Sequence, residues 1–211
     1  LIYIKLIKEK SNLKMILIVG ANGFFGNQLQ NTFLKKKVKY LPSDITLGKE
    51  NYLDIRDIDS IRDIIRKHKI KAIINCSCEP ATSKSKKKLW STNVEGNNNL
   101  IKVSLEFNIK KYILISTSAI WVKNYKKPVN ESERYHPIEN YGKSKVQAEK
   151  NIINSNLKNW TIFRVPMIVS KERLGVLSLL FDLIIENKKI PLLGSGENIL
   201  QFIHADDLSN Y

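Results

Sequence analysis

The stretch ILIVGANGFFG, residues 16 to 26, constrains the fold of this chain more than any other segment. An apolar run leads directly into three glycines at a spacing of three, Gly20, Gly23 and Gly26. Glycine lets the backbone turn tightly here and lets a pyrophosphate approach the amino end of the next helix, where free N–H groups favour anions. The stretch therefore predicts a dinucleotide site made by Gly20, Asn22, Gly23, Phe24, Phe25 and Gly26.

Strand and helix patterns alternate along the remainder of the chain. Apolar runs at 38–41, 70–75, 111–116 and 160–165 alternate with helical patterns at 25–37, 57–68, 94–107 and 141–154. Strands that are apolar throughout and separated by helices are typical of a parallel sheet covered on both faces. The predicted fold class is therefore α/β, a Rossmann-like doubly wound parallel sheet.

Three segments follow from this pattern. We expect a dinucleotide-binding Rossmann domain over residues 15–165. After Pro166 the pattern loosens, which predicts a small, truncated C-terminal substrate lobe over residues 166–211. Met15 directly precedes the first strand, so we expect residues 1–14 to be an extension upstream of the true start; an amphipathic arm is the alternative.

The charge of the chain is strongly positive, with 35 Lys and Arg against 20 Asp and Glu. Such an excess would suggest nucleic acid as a partner, but lysines are spread over nearly every segment and no nucleic-acid module is recognisable, so we expect no such partner. The densest cluster, SKSKKK at 83–88, is interpreted as a solvated loop, with a polyanion site as the alternative. No apolar run reaches about twenty residues, so we expect a cytoplasmic protein that does not span a membrane.

The two cysteines, Cys76 and Cys78, flank Ser77 at the end of an apolar run. Two residues apart in a strand, they would point to the same face and lie too close in sequence for an easy disulfide. The three histidines are scattered singly, so a metal site would lack ligands and none is expected. We interpret both cysteines as buried, reduced thiols.

The preference between NAD and NADP depends on residues after the second strand. Asp44 lies eighteen residues past Gly26, about where an acidic side chain would hydrogen-bond the adenosine ribose hydroxyls of NAD. Lys49 follows closely and could instead receive the 2′-phosphate of NADP. The pattern favours NAD slightly and leaves NADP open.

The stretch YGKSK places Tyr141 and Lys145 four residues apart, on one face of a helix. A free tyrosine has a pKa near 10, and lowering it by about three units takes about 4 kcal/mol. A neighbouring ammonium and the positive nicotinamide ring could supply that stabilisation. The pair would then accept a proton from a hydroxyl as hydride leaves its carbon. The alternative is a tyrosine packed at a helix start beside an unrelated lysine.

GANGFFG, the segment STSAIW at 116–121 and YGKSK together resemble the extended short-chain dehydrogenase/reductase family, the NAD-dependent epimerase/dehydratase group that acts on nucleotide sugars. The resemblance runs from residue 15 to residue 211 and implies a catalytic site of Thr117, Tyr141 and Lys145. Thr117 would hydrogen-bond the same substrate oxygen as Tyr141, with Ser116 and Ser118 as adjacent alternatives. Lys145 would hold the nicotinamide ribose and lower the pKa of Tyr141.

Further contacts are implied by the same resemblance. In LDIRD, Asp54 with Ile55 matches the segment that contacts the adenine, and Asn93 matches an asparagine beside the cofactor diphosphate. The resemblance also implies a homodimer packed through helices near 94–107 and 141–154.

Departures from the family pattern restrict the expected reaction. Ser118 and Ala119 stand where dehydratases of this group place an Asp-Glu pair, so dehydration is disfavoured. Trp121 replaces a common tyrosine, which alters the expected sugar pocket. The substrate lobe of the group normally continues further, so we expect a fragment or a shortened member. The implied function is an NAD(P)-dependent nucleotide-sugar epimerase or ketoreductase; a non-catalytic dinucleotide-binding regulator or scaffold is the alternative.

Overall fold

A central sheet of five parallel strands, in the order β2-β1-β3-β4-β5, forms the middle of the protein. The computed structural model describes residues 15–123, 128–191, 195–196 and 199–211, so the predicted extension at 1–14 lies outside the described residues. The strands are β1 (Ile16–Val19), β2 (Tyr40–Ser43), β3 (Ala72–Asn75), β4 (Lys111–Thr117) and β5 (Trp160–Val165). The predicted Rossmann-like α/β fold is confirmed.

Helices connect the strands and cover the sheet. They are α1 (Phe24–Lys35), α2 (Ile58–His68), α3 (Lys86–Leu89), α4 (Asn97–Glu106), α5 (Asn140–Ile153), α6 (Val176–Ile185) and α7 (Ala205–Asn210). A π-helical segment (Trp90–Gly96) joins α3 to α4, and a 3₁₀ turn (Ser118–Ile120) follows β4. A separate parallel pair, β6 (Met167–Val169) and β7 (Phe202–His204), lies in the C-terminal part.

The sheet is buried on both faces because side chains alternate along each strand. On one face a core cluster joins sheet residues to α2, α4 and α5, for example through Ile61, Leu100 and Ile152. On the other face Leu29 and Phe33 of α1 pack against the sheet. Every residue of β3 is buried, which explains why Ala72, Ile73 and Ile74 are apolar in succession rather than alternating with polar residues.

Several element boundaries differ from the sequence expectation; β3, for example, begins at Ala72 rather than at residue 70. The second strand begins at Tyr40, two residues late, because Lys37 adopts a left-handed conformation with φ 54° in the turn after α1. The strand also contains Pro42, which is tolerated because β2 is the edge strand of the sheet formed by the described residues. The helix predicted at 94–107 is preceded by helical turns from Lys86 onward.

The strand order creates a crevice. The chain crosses from β1 to β2 on one side and then returns to place β3 on the other side of β1. Loops that leave β1 and β3 therefore diverge at the carboxyl ends of the strands, where open α/β sheets bind their ligands. The glycine loop lies at this position.

Helix α6 has an unusual surface. Its sequence VLSLLFDLII is almost wholly apolar, yet none of its residues is buried by the described part of the chain. Leu179 is 62% exposed and Ile185 is 77% exposed. In the described ranges, no helix has both the length and the apolar character that a membrane crossing requires.

Candidate active site

A cleft of about 1060 Å³ opens at the carboxyl ends of the parallel strands. With the exception of Asn93, it is lined by every residue that the sequence predicts to bind cofactor or to take part in catalysis. These lining residues are Gly20, Asn22, Gly23, Phe24, Phe25, Gly26, Asp44, Asp54, Ile55, Thr117, Tyr141 and Lys145. The fold therefore brings both predicted groups to one cavity, which is large enough for a dinucleotide.

The glycine loop presents the amino end of α1 to the cleft. Gly20 has φ +79°, and a Cβ on Gly26 would lie 2.2 Å from the carbonyl oxygen of Gly20. Both positions therefore require glycine. Gly23 precedes the helix without a capping side chain, and the first turn contains no acidic residue. The free N–H groups and the helix dipole thus fit a diphosphate at this place.

Asp44 is hydrogen-bonded to the glycine loop. It follows β2, is only 9% exposed, and its Oδ2 accepts a hydrogen bond from the Asn22 N–H at 3.1 Å. Its Oδ1 accepts from the backbone N–H of Thr46 at 3.0 Å and from the Thr46 hydroxyl at 2.8 Å. The carboxylate is therefore held in one orientation at the β2 end of the cleft.

Asp54 forms an ion pair at the same end of the cleft. The Arg56 guanidinium donates to both carboxylate oxygens, with the shortest contact at 2.7 Å. This hydrogen bonding holds the pKa of Asp54 below its usual value. Arg56 lines the cleft beside Asp54, whereas Lys49 does not line it. Sequence reasoning missed Arg56, although it stands two residues after Asp54 in LDIRD.

Thr117, Tyr141 and Lys145 meet at the other end. Helix α5 turns Tyr141 and Lys145 toward the cleft, as their four-residue spacing predicts. Thr117, the last residue of β4, hydrogen-bonds the Tyr141 side chain. The Lys145 side chain is 3% exposed, and its Nζ donates to the carbonyl oxygen of Ile115 at 2.8 Å.

The pKa of Tyr141 shifts in the opposite direction to that expected from its neighbour. Burial raises the pKa of Tyr141 above its ordinary value, the adjacent Cys78 raises it further, and the hydrogen bond with Thr117 acts against both. Burial also lowers the pKa of Lys145. The net direction in the protein alone is upward because loss of hydration penalises the phenolate, so the lowering of the Tyr141 pKa by Lys145 stays a prediction.

A close approach of two elements sets this geometry, and the sequence analysis did not identify it. A Cβ on Gly142 would lie 2.7 Å from the carbonyl oxygen of Ala119 and 3.2 Å from the Cβ of Pro137. Only glycine therefore lets α5 come this close to the turn that follows Thr117. The glycine inside YGKSK is the sequence signal that could have revealed the contact.

Asn93 lies behind the cleft rather than on it. Its Oδ1 accepts from the backbone N–H of Glu79 at 2.8 Å. Its Nδ2 donates to the carbonyl oxygen of Glu79 and to the Ser144 hydroxyl, both at 3.1 Å. Ser144 in turn donates to the carbonyl oxygen of Tyr141 at 2.7 Å. The amide of Asn93 thus joins the loop after β3 to α5, and its contact with the cofactor diphosphate stays a prediction.

The two cysteines have different environments, although both were expected to be buried. Burial raises the pKa of the partly buried Cys76 thiol to about 12. Cys78 is exposed, lines the cleft and contacts the Tyr141 side chain. The expectation is wrong for Cys78, because β3 ends at Asn75 and Cys78 belongs to the following loop. Within the described ranges, no group of three or more His, Cys, Asp or Glu side chains could hold a metal ion.

Comparison with known proteins identifies a family. A family model described as the NAD dependent epimerase/dehydratase family matches residues 16–210. The uncharacterized protein y4nG of Sinorhizobium fredii is 27% identical over 94% of this chain. The dTDP-D-glucose 4,6-dehydratase of Dictyostelium discoideum is 24% identical over 95% of this chain.

Among solved structures, the enzyme WbmG of Bordetella bronchiseptica, crystallised with NAD and UDP, matches with a TM-score of 0.79 over 92% of this chain. Its sequence identity is 17%, so this likeness concerns the fold. The chain covers 66% of the WbmG chain. It spans about half the length of the two curated relatives, 52% of y4nG and 55% of the dehydratase.

Proposed function

Because the chain belongs to the NAD-dependent epimerase/dehydratase family, we propose that it acts as an NAD-dependent nucleotide-sugar epimerase or ketoreductase. The observation that carries the proposal is the meeting of Thr117, Tyr141 and Lys145 in the cleft that also contains the glycine loop. Ser118 and Ala119 also line this cleft and bring no carboxylate to it. Dehydration, which would need such groups to move protons, is therefore not proposed.

The dinucleotide would lie along the carboxyl ends of the strands. The amino end of α1 would bind the diphosphate, Asp44 would accept hydrogen bonds from the adenosine ribose, and Asp54 with Ile55 would contact the adenine. A bound nicotinamide cofactor supplies a hydride acceptor and donor. We propose NAD rather than NADP, because Asp44 would repel a 2′-phosphate and Arg56 is already paired with Asp54.

Proton transfer is proposed for the other end of the cleft. Tyr141 would take the proton from a sugar hydroxyl and return it, while Thr117 hydrogen-bonds the same oxygen. Lys145 uses one of its three protons on Ile115, so it could donate others to the nicotinamide ribose. Since burial raises the pKa of Tyr141, its ionisation needs a positive charge brought close to the ring.

Assembly and location are part of the same proposal. By resemblance to the family, we propose a homodimer packed through α4 and α5 that acts in the cytoplasm. Light scattering of the purified chain would give its mass directly, and a monomeric mass would contradict the dimer.

Tyr141→Phe tests the proposed function. We expect turnover of UDP- or dTDP-linked sugars to fall by at least about a hundredfold, because the variant cannot exchange the proton. Calorimetric titration should give an NAD affinity within about twofold of the parent, since the phenol hydroxyl is not proposed to bind the cofactor. Tyr211→Phe, at a side chain that is 71% exposed, is the matched control and should change neither value.

The outcomes separate the candidate functions. A Tyr141→Phe variant that turns over like the parent contradicts the catalytic role. A parent protein that binds NAD but converts none of the sugars tested would favour a dinucleotide-binding regulator or scaffold. A parent that binds neither NAD nor NADP would contradict both.

A further inference from the structure

A buried carboxylate lies directly beneath the candidate catalytic residues. Glu149, on α5 and one turn beyond Lys145, is 0% exposed. Its carboxylate accepts hydrogen bonds from the Ser116 hydroxyl, from Arg164 Nε at 3.0 Å and from the Tyr135 hydroxyl at 3.2 Å. Arg164 Nη2 completes the ion pair at 2.9 Å. A buried charge persists only with such partners, so this cluster is held as a unit.

The partners of Glu149 belong to different walls of the cleft. Ser116 directly precedes Thr117 in β4, so the Glu149 contact fixes the backbone that carries the Thr117 hydroxyl. Arg164 lies in β5, next to Val165, which lines the cleft. Glu149 thus joins β4, β5 and α5 at one point below the proposed site.

Arg164 extends the cluster into the segment before α5. Its Nη1 donates to the carbonyl oxygen of Glu131 at 2.7 Å, and its Nη2 donates to the Tyr135 hydroxyl at 2.9 Å. The guanidinium lies 4.9 Å from the centroid of the Trp121 ring. Trp121, expected from the sequence to shape the sugar pocket, does not line the cleft and packs on this cation instead.

Electrostatics link the cluster to the site. Burial lowers the pKa of Lys145, and its neighbours Cys78, Glu149 and Cys76 act in the opposite direction. Of these groups, Glu149 is the one paired with an arginine. Loss of the Glu149 charge would remove a negative neighbour of Lys145 and leave the Arg164 cation behind. Both changes favour the neutral amine.

We propose that Glu149 is a positioning residue, which aligns the Thr117 hydroxyl through Ser116 and keeps the Lys145 ammonium in place through its charge. This inference rests on the proposed function of the cleft. Glu149 does not line the cleft, so its effect on the reaction is exerted through the residues that do.

The test compares Glu149→Gln with the parent protein. The substitution keeps the size of the side chain and removes its charge. We expect kcat to fall by roughly ten- to a hundredfold at neutral pH, because the reacting groups lose their alignment. The KM for the sugar should stay within about twofold of the parent, since no contact to the sugar is removed. The alkaline limb of the pH–rate profile should shift to lower pH by roughly one unit, because Lys145 loses its proton more easily.

Three further variants give the test its controls. Asp63→Asn removes a carboxylate from another arginine pair, with Arg66 at 3.4 Å on the exposed side of α2, and should leave rate and profile unchanged. Glu149→Asp restores the charge and should return the alkaline limb toward that of the parent. Ser116→Ala removes the hydrogen bond from β4 to Glu149 and keeps the Glu149 charge, so it should lower kcat without moving the alkaline limb to lower pH.

The inference is overturned if Glu149→Gln folds, binds NAD and keeps the parental kcat and pH profile. If Glu149→Gln does not fold, an unchanged kcat in Ser116→Ala overturns it. Carbon NMR of ε-labelled lysine, with the Lys145 signal assigned by Lys145→Arg, gives a readout that needs no turnover. If the parent protein shows no turnover, the proposed function is refuted. If Lys145 titrates identically in the parent and in folded Glu149→Gln, the electrostatic role of Glu149 is refuted.

Discussion

At the scale of single residues, the ionisation of Tyr141 decides how the site could work. In the protein alone, burial and Cys78 raise its pKa, so we expect the phenol to stay protonated at and above the ordinary value near 10. NAD+ brings a positive ring and should lower the pKa. The difference in tyrosinate absorbance between the parent and Tyr141→Phe, followed over pH with and without NAD+, measures the pKa of Tyr141. Tyrosinate absorbance from Tyr141 below pH 9 without cofactor would contradict the expectation that the phenol stays protonated.

Cys78 offers a second residue-scale probe of the cleft. Its thiol is exposed and contacts Tyr141, whereas Cys76 is partly buried. We expect a maleimide to label Cys78 first and saturating NAD to slow that labelling by at least about tenfold, because the bound cofactor would cover the thiol. Mass spectrometry of labelled peptides gives both rates. Equal labelling with and without NAD, in a protein shown to bind it, would place the cofactor elsewhere.

At the scale of elements, α5 concentrates the functional groups of the cleft. Tyr141, Lys145 and Glu149 recur every four residues along one side of this helix. Ser144 connects the helix to Asn93 and hence to the loop after β3. The position of α5 relative to β4 therefore controls the proposed chemistry.

Gly142→Ala tests that position. The added Cβ would lie 2.7 Å from the Ala119 carbonyl oxygen, so α5 must move away from the turn after Thr117. We expect turnover to fall by roughly a hundredfold, because proton transfer tolerates little displacement. NAD binding at the glycine loop should be less affected. Gly48→Ala is the matched control, since its Cβ would meet nothing within 4 Å. Equal kcat in the two variants would refute the role of the close approach.

At the scale of the whole molecule, a dinucleotide in the cleft would contact residues from every strand of the central sheet or the loops that follow them. Binding to the folded state alone stabilises a protein, by about 2.7 kcal/mol at a ligand concentration of a hundred times Kd. For a chain of this size we expect NAD to raise Tm by about 5–10 °C.

The Asp44→Asn variant gives this prediction its control. Loss of the carboxylate should reduce the Tm shift with NAD and increase the shift with NADP, because a repulsive charge near the ribose is removed. Asp207→Asn, at an exposed position on α7, should leave both shifts as in the parent. An equal response of Asp44→Asn and the parent to both cofactors would contradict the proposed role of Asp44.

Much of the fold and part of the site could be predicted from short sequence patterns. The glycine spacing after β1 and the four-residue spacing of Tyr141 and Lys145 act within one turn or one helix, so neighbouring residues are enough to define them. Apolar runs separated by helical patterns were likewise enough to predict a parallel sheet. Strand limits were less predictable, as the delayed start at Tyr40 shows.

The remaining properties depend on groups far apart in the chain. The pairing of Glu149 with Arg164, the contact of Thr117 with Tyr141, the place of Asn93 and the exposure of Cys78 exist only once separate elements are packed together. The direction of the Tyr141 pKa shift belongs to the same class, because it is set by how much water the surrounding elements exclude. Local patterns thus determined the elements and the proposed ligand class, whereas tertiary packing decided which side chains meet and how they ionise, since burial and distance are properties of the assembled fold.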